Sequence, residues 1–301
     1  MMPSPICLFV YKRPKHTRLT VESLLKNPEA RDSILYVFGD GPKTEIDHQD
    51  VELVKNYLLG VQGFKEIHFN WNVKNQGLAP SIISGVSSVL EKHSTVIILE
   101  DDMVLSPYFL KFMNDALEKY SSTMEVACVH GYIYPSTLPR PETFFLKGAD
   151  CWGWGTWSRA WAEFEADGQK LLTELENRNL TYEFDFDGTY PYTDMLRRQI
   201  RGEVSSWAIR WYASAFLKDR LCLYPGQSLL NNIGFDNSGE NCAADPCFEV
   251  ELARHPVLIG DLPLIEDLKA KRTVKLFFMS LKPSFLNRIR LKVLRFLKWR
   301  R

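Results

Sequence analysis

Through the first 130 or so residues, short apolar runs alternate with helix-forming stretches, and no other feature restricts the fold as strongly. Residues 5–11 (PICLFVY), 33–38 (SILYVF), 65–70, 95–99 (TVIIL) and 126–129 read as strands. Residues 14–26, 45–59, 78–92 and 107–120 read as helices. Pro14 stands where a first helical turn tolerates proline. Gly39-Asp40-Gly41-Pro42 closes the second strand with a strong turn signal. This order predicts an α/β fold, a mostly parallel Rossmann-like sheet with helices on both faces.

Ligands of such sheets sit beyond the carboxyl ends of the strands. Four strand ends here carry Arg13, Asp40, Asn75 and Glu100-Asp101-Asp102. The last cluster is the most informative. Three consecutive carboxylates at the end of a buried strand repel one another and lose hydration. A divalent cation relieves both costs, and Mg²⁺ or Mn²⁺ would share its shell with substrate phosphates. A solvated acidic turn is the plainer account. Arg13 suits a diphosphate or a base, though alone it is an ordinary surface cation. Asp40 suits a pyrimidine or ribose, or a simple turn. Asn75-Gln76-Gly77 lets a backbone approach a ligand closely, with Lys74 adding charge; a loop closed by a left-handed glycine explains it equally well.

The second half differs. Residues 151–161 (CWGWGTWSRAW) hold four Trp in eleven residues and read as a Gly-rich loop. Trp152 and Trp154 are expected at the surface as a platform for sugar rings; packing beneath the rim is the alternative. Trp207 and Trp211, at i and i+4 of an amphipathic helix (206–218), are expected in the core. Residues 171–177 and 192–201 read as helices, 221–224 as a strand and 231–241 as a loop.

Y-K-R-P (Tyr11 to Pro14) after strand one, F-G-D-G after strand two, N-x-x-N-Q-G-L-A before a helix and L-E-D-D after the fourth strand resemble nucleotide-sugar transferases of the GT-A fold. The E-D-D variant is similar to that of N-acetylglucosaminyltransferase I. C-W-G-W-G-T-W and S-W-A-I-R-W-Y-A-S look like bacterial surface-polysaccharide transferases related to it. The resemblance covers roughly residues 5–245. It implies that Asp102 ligates the metal and that Glu100 and Asp101 contact the ribose or sugar. Arg13 and Asp40, with Tyr11, Lys74, Asn75 and Gly77, would hold the nucleotide sugar. Two departures stand out. Those relatives often carry Asp just before S-W-A-I-R-W, where this chain has Ser205. They often carry His in the later Gly-rich loop, where this chain reads Gly239-Glu240-Asn241-Cys242. An inverting transferase needs a carboxylate base. Glu203 is ranked first for that role and Asp150 second.

Net charge is zero, with 37 basic and 37 acidic residues, but unevenly placed. From Lys269 to Arg301 there is no Asp or Glu. Leu286, Ile289, Val293 and Phe296 would share one helical face, opposite Arg288, Lys292, Arg295 and Lys298, as in a helix lying on an anionic membrane. Nucleic acid is disfavoured, because the catalytic half is acidic and no base-reading motif is present. The N-terminus is too short in its apolar part for a signal peptide. The six Cys show no metal-ligand spacing and suit reduced thiols; a Cys242–Cys247 bridge is conceivable.

Three regions are therefore expected: a nucleotide-sugar half (1–130), an acceptor half (131–265) and a basic tail (266–301). The expected activity is transfer of a hexose or N-acetylhexosamine from a nucleotide-diphosphate sugar, UDP-linked by preference, to a glycan or lipid-linked acceptor. It would run with Mn²⁺ or Mg²⁺, at the cytoplasmic face of a membrane. A sugar nucleotidyltransferase and a non-catalytic glycan- or nucleotide-binding protein are the rivals. The former would want a Gly-rich loop after strand one, which Tyr11-Lys12-Arg13-Pro14 is not.

Overall fold

The computed structural model describes residues 3–236 and 246–281. The expected alternation is present: β1 (Ile6–Val10), α1 (Pro14–Leu24), β2 (Ile34–Gly39), α2 (His48–Leu59), β3 (Glu66–Trp71), α3 (Leu78–Leu90) and β4 (Thr95–Glu100). Then come β5 (Met103–Leu105), α4 (Phe109–Lys119), β6 (Val126–His130), β7 (Thr143–Lys147), β8 (Trp154–Trp157) and α5 (Ser158–Trp161). The remainder is α6 (Gly168–Asn177), α7 (Thr181–Phe184), α8 (Tyr192–Ile200), α9 (Ala208–Leu217), β9 (Leu221–Pro225), β10 (Leu230–Asn232) and α10 (Leu268–Leu281).

Eight strands form one sheet in the order β3-β2-β1-β4-β8-β6-β9-β7. All but β7 and β8 point the same way, since only their pairings are antiparallel. The chain is thus a mixed α/β protein with a mostly parallel sheet, as its alternation implies. β1 is buried along its whole length, which suits a strand covered on both faces. α1 and α2 pack together, and α3 packs against β1 and β4; the right-handed rule for parallel crossovers assigns the pair and α3 to opposite faces. The two expected halves share this single sheet, because β6, β8, β9 and β7 continue it beyond β4.

The Trp-rich segment is not a loop throughout: it supplies strand β8 and the short helix α5. β8 inserts antiparallel between β4 and β6, pairing Trp154 with Ile98 on one side and His130 on the other. Trp154 is consequently 0% exposed, stacked on Trp207 at 5.3 Å and tilted against Trp211 at 5.9 Å. That corrects its expected place on an acceptor platform: ladder bonds on both sides hold it under the sheet surface. Trp207 and Trp211 are core residues, as helical spacing implies. Trp154→Ala should cost about 3–5 kcal/mol, the range for emptying a buried Trp site. Denaturant unfolding checks this, and a loss under about 1 kcal/mol would contradict the packing.

A smaller layer of α6, α7, α8 and α9 packs around Leu171, Leu175, Phe184, Leu196 and Ile209. The expected tail divides. α10 packs on the fold through Ala270, Val274, Phe277 and Phe278, so this stretch is part of the core. The amphipathic face expected at 286–296 lies outside the described residues, as do Asn241 and Cys242. Among the described residues Cys7, Cys128, Cys151 and Cys222 are free thiols. No described helix is long and apolar enough to cross a membrane.

Candidate active site

The chain runs from β1 outward to β3, then returns to place β4 on the other side of β1. Strand order reverses there, so the connections after β1 and β4 leave in opposite directions and open a crevice. Arg13 follows β1, and Asp101 and Asp102 follow β4. The Arg13 guanidinium ion-pairs with Asp101 and, at 3.0 Å, with Asp102 Oδ2. Burial opposes its charge, but the two carboxylates more than reverse that and raise its pKa. From beneath, the buried Thr20 hydroxyl of α1 donates to the Asp101 carbonyl at 2.8 Å and accepts the Met103 N–H at 3.0 Å. The acidic turn is therefore held by α1, a role no motif signals.

The carboxylates carry the strain expected of them. Burial, then Asp102 and Asp101, push Glu100 up to about 8, with Arg13 opposing. Burial also raises Asp102, against the pull of Arg13. Asp102 Oδ1 is buried and has no hydrogen-bond partner among the described residues. Gly234 lies against this side chain: a Cβ there would collide with Asp102 Oδ2. Its N–H donates to Asn232 Oδ1 at 2.8 Å. An orphaned, buried carboxylate oxygen suits an oxygen-seeking Mg²⁺ or Mn²⁺. Among the described residues no three His, Cys, Asp or Glu groups converge as a metal cage. A cation sharing its shell with substrate phosphates needs none.

Asp40 is fully engaged. Its carboxylate accepts the Gly41 N–H (3.1 Å), Asn72 Nδ2 (3.2 Å), the Gln76 N–H (2.9 Å) and the Gly77 N–H (2.9 Å). Asn75 Nδ2 donates to the Gly41 carbonyl at 3.0 Å. Asp40 thus shapes the 72–77 loop, and Gly77, at φ 82°, caps α3 in a conformation other residues resist. Asp40, Asn75 and Gly77 line the cavity; Lys74 is exposed and does not. Asp47, unmarked by any motif, binds the Tyr11 hydroxyl at 3.0 Å and Lys12 Nζ at 2.6 Å. Lys12 chiefly, then Thr44 and Tyr11, hold its carboxyl below the usual range.

Asp150 lines the same cavity of about 610 Å³ as this rim. It accepts the Tyr134 hydroxyl (3.2 Å), the Tyr224 hydroxyl (3.3 Å) and the Cys151 N–H (2.8 Å). Burial, then the Asp150 charge, raises both phenols well above their usual value, so both stay protonated and donate. His130, fully buried, has Nδ1 3.8 Å from Asp150, and its Nε2 accepts the Trp152 N–H at 3.1 Å. Burial lowers its pKa despite Asp150. Trp152 lines the cavity, edge-on to Tyr132, Phe235 and Phe248.

Glu203, ranked first as base, is not at the cavity. It follows the left-handed Gly202 (φ 72°), is 47% exposed and pairs with Arg201 at 2.6 Å and Arg198 at 3.5 Å. Arg201, chiefly, lowers its pKa. Its neighbours Val204, Ser205 and Ser206 do line the cavity. Glu203→Gln should therefore leave turnover within about threefold of wild type, far from the loss that follows removal of a general base. A hundredfold drop would restore Glu203 to that role.

No family model matches the chain, and no curated protein matches it. The likeness to N-acetylglucosaminyltransferase I therefore has no support beyond its motifs. Among solved structures, the chain is similar to a Pyrobaculum calidifontis mannosyltransferase in complex with GDP-Man and Mn²⁺ (15% identity, 46% of this chain and 38% of that chain, TM-score 0.31). It is similar to a cytidylyltransferase from Leptospira borgpetersenii (10% identity, 55% and 64%, TM-score 0.33). It is also similar to a mannose-1-phosphate geranyltransferase from Thermus thermophilus (14% identity, 77% and 77%, TM-score 0.37). The chain spans 38% and 64% of the first two, less than two thirds of either. Overlaps this loose carry no argument about activity.

Proposed function

We propose that the chain is a metal-assisted glycosyltransferase that moves a hexose or N-acetylhexosamine from a nucleotide-diphosphate sugar, UDP-linked by preference. The observation that carries this reading is one cavity with two unlike carboxylate ends. Arg13, Asp101 and Asp102, with its orphaned oxygen, stand at the strand-order reversal, and Asp150, held by tyrosines, lines the same cavity.

The chemistry follows from that division. Arg13 and the loop organised by Asp40 hold the nucleotide end. A divalent cation at Asp102 would neutralise charge on the departing diphosphate. Asp150, oriented by Tyr134, Tyr224 and the Cys151 N–H, takes the proton of the acceptor hydroxyl. The acceptor oxygen bonds to the anomeric carbon as the bond to phosphate breaks, and the electron pair leaves on the diphosphate. Attack opposite the leaving group inverts the anomeric centre. Trp152 would offer its exposed edge to the acceptor, a glycan or lipid-linked sugar. We place this chemistry at the cytoplasmic face of a membrane.

The test is a panel of UDP- and GDP-sugars with Mn²⁺, followed by the nucleotide product. A transferase releases nucleoside diphosphate. A sugar nucleotidyltransferase instead releases pyrophosphate from a nucleoside triphosphate and a sugar phosphate. Binding without either product would mark a non-catalytic protein.

A further inference from the structure

Helix α10 has two unlike faces. Val274 and Phe278 on the inner face are buried and line the cavity. Lys271 pairs with Glu266 at 2.9 Å and Lys275 with Asp187 at 2.8 Å, fastening the helix to the body. The outer face carries Leu268, Leu276 and Met279, which are 73%, 44% and 54% exposed. Their spacing places them on one side of the helix. Leu264 and Ile265, also exposed, extend the apolar surface along the segment entering α10. Arg272, also exposed, stands on this side between Leu268 and Leu276, and Lys269 lies beside it.

Exposed apolar side chains gathered with cations on one side of a helix mark a contact surface. The charge selects the contact. On α10 itself Lys269 and Arg272 are exposed cations, and the sequence from Lys269 to Arg301 carries twelve Lys and Arg with no Asp or Glu, so the net charge of this stretch attracts anions. We propose that the outer face of α10 is a docking surface for an anionic lipid bilayer. Leucine and methionine side chains enter the headgroup boundary, and the flanking cations meet lipid phosphates. Docking does not depend on the transferase reading. Its consequence does: because the opposite face of α10 walls the cavity, the acceptor hydroxyl would be presented from the lipid side.

The test is vesicle flotation of the full chain. Phosphatidylglycerol–phosphatidylcholine vesicles are compared with phosphatidylcholine alone. The wild type partitions to the anionic vesicles, less so as salt rises. Leu268→Glu/Leu276→Glu/Met279→Glu lowers that partition by about tenfold or more, because three carboxylates replace the inserted side chains. Leu53→Glu, an equally exposed site on α2, leaves it unchanged. Melting temperature and donor turnover without vesicles confirm that the triple variant is folded, and separate a failure of docking from a failure of the transferase reading. A wild type that ignores the anionic vesicles at low salt, or a triple variant that partitions within about twofold of it, overturns the proposal.

Discussion

Asp150→Asn lowers turnover by about a hundredfold or more while donor affinity stays within a few-fold of wild type. The amide keeps the size of the carboxylate and can still accept one phenol hydrogen bond, so the cavity wall survives. What it cannot do is take a proton. Asp150 is held by Tyr134, Tyr224 and the Cys151 N–H, and Arg13, Asp101 and Asp102 are not among these partners, which is why binding is spared. Tyr134→Phe should show an intermediate loss, because Tyr224 and the Cys151 N–H still orient the carboxylate. Steady-state release of nucleoside diphosphate measures turnover, and calorimetric titration measures donor binding. A loss below about fivefold in Asp150→Asn would move proton removal to another group.

Asp102→Ala abolishes the Mn²⁺-dependent part of donor binding. Asp102 is the one member of the acidic cluster with a buried, unpartnered carboxylate oxygen among the described residues. The variant should fold, since Arg13 keeps Asp101 and one buried charge is removed. Calorimetric titration of a UDP-sugar with and without Mn²⁺ gives the result directly. Equal metal-dependent affinity in variant and wild type would refute the assignment. The wild type adds a pH signature. Glu100 keeps its proton below about 8, held up by burial and by Asp102 and Asp101. Raising the pH towards that value removes the proton and makes the cluster more negative, so Mn²⁺ affinity rises. Affinity that is flat from about pH 6 to that value would show that Glu100 is not coupled to the metal.

The rim was legible because strand ends are local. A run such as TVIIL buries itself, and whatever follows it must leave at the edge of the sheet. Glu100, Asp101, Asp102, Arg13 and Asp40 were placed on one rim by that reasoning alone. Their individual roles were less legible. Asp40 turned out to be occupied by its own loop, because Gln76 and Gly77 bring backbone N–H groups to it from another strand end. Lys74 is left at the surface for the same reason, since the loop folds inward on its neighbours.

Other parts were decided by tertiary pairing. The glycines of CWGWGTW favour a loop locally, yet bonds to β4 on one side and β6 on the other make the segment a central strand and bury Trp154. Proximity in sequence favoured Glu203, but the turn at Gly202 sends it outward, while the pairing of β7 with β9 brings Asp150 to Tyr224 and the connection after β6 adds Tyr134. Hydrophobic periodicity and strand-end polarity determined the α/β class, the order of its first elements and the place of the acidic cluster, because each depends on a few adjacent residues. Which carboxylate faces the cavity, which Trp is core and which face of α10 meets solvent depended on contacts between residues far apart in the chain. No local pattern encodes those distances, and only the closed sheet sets them.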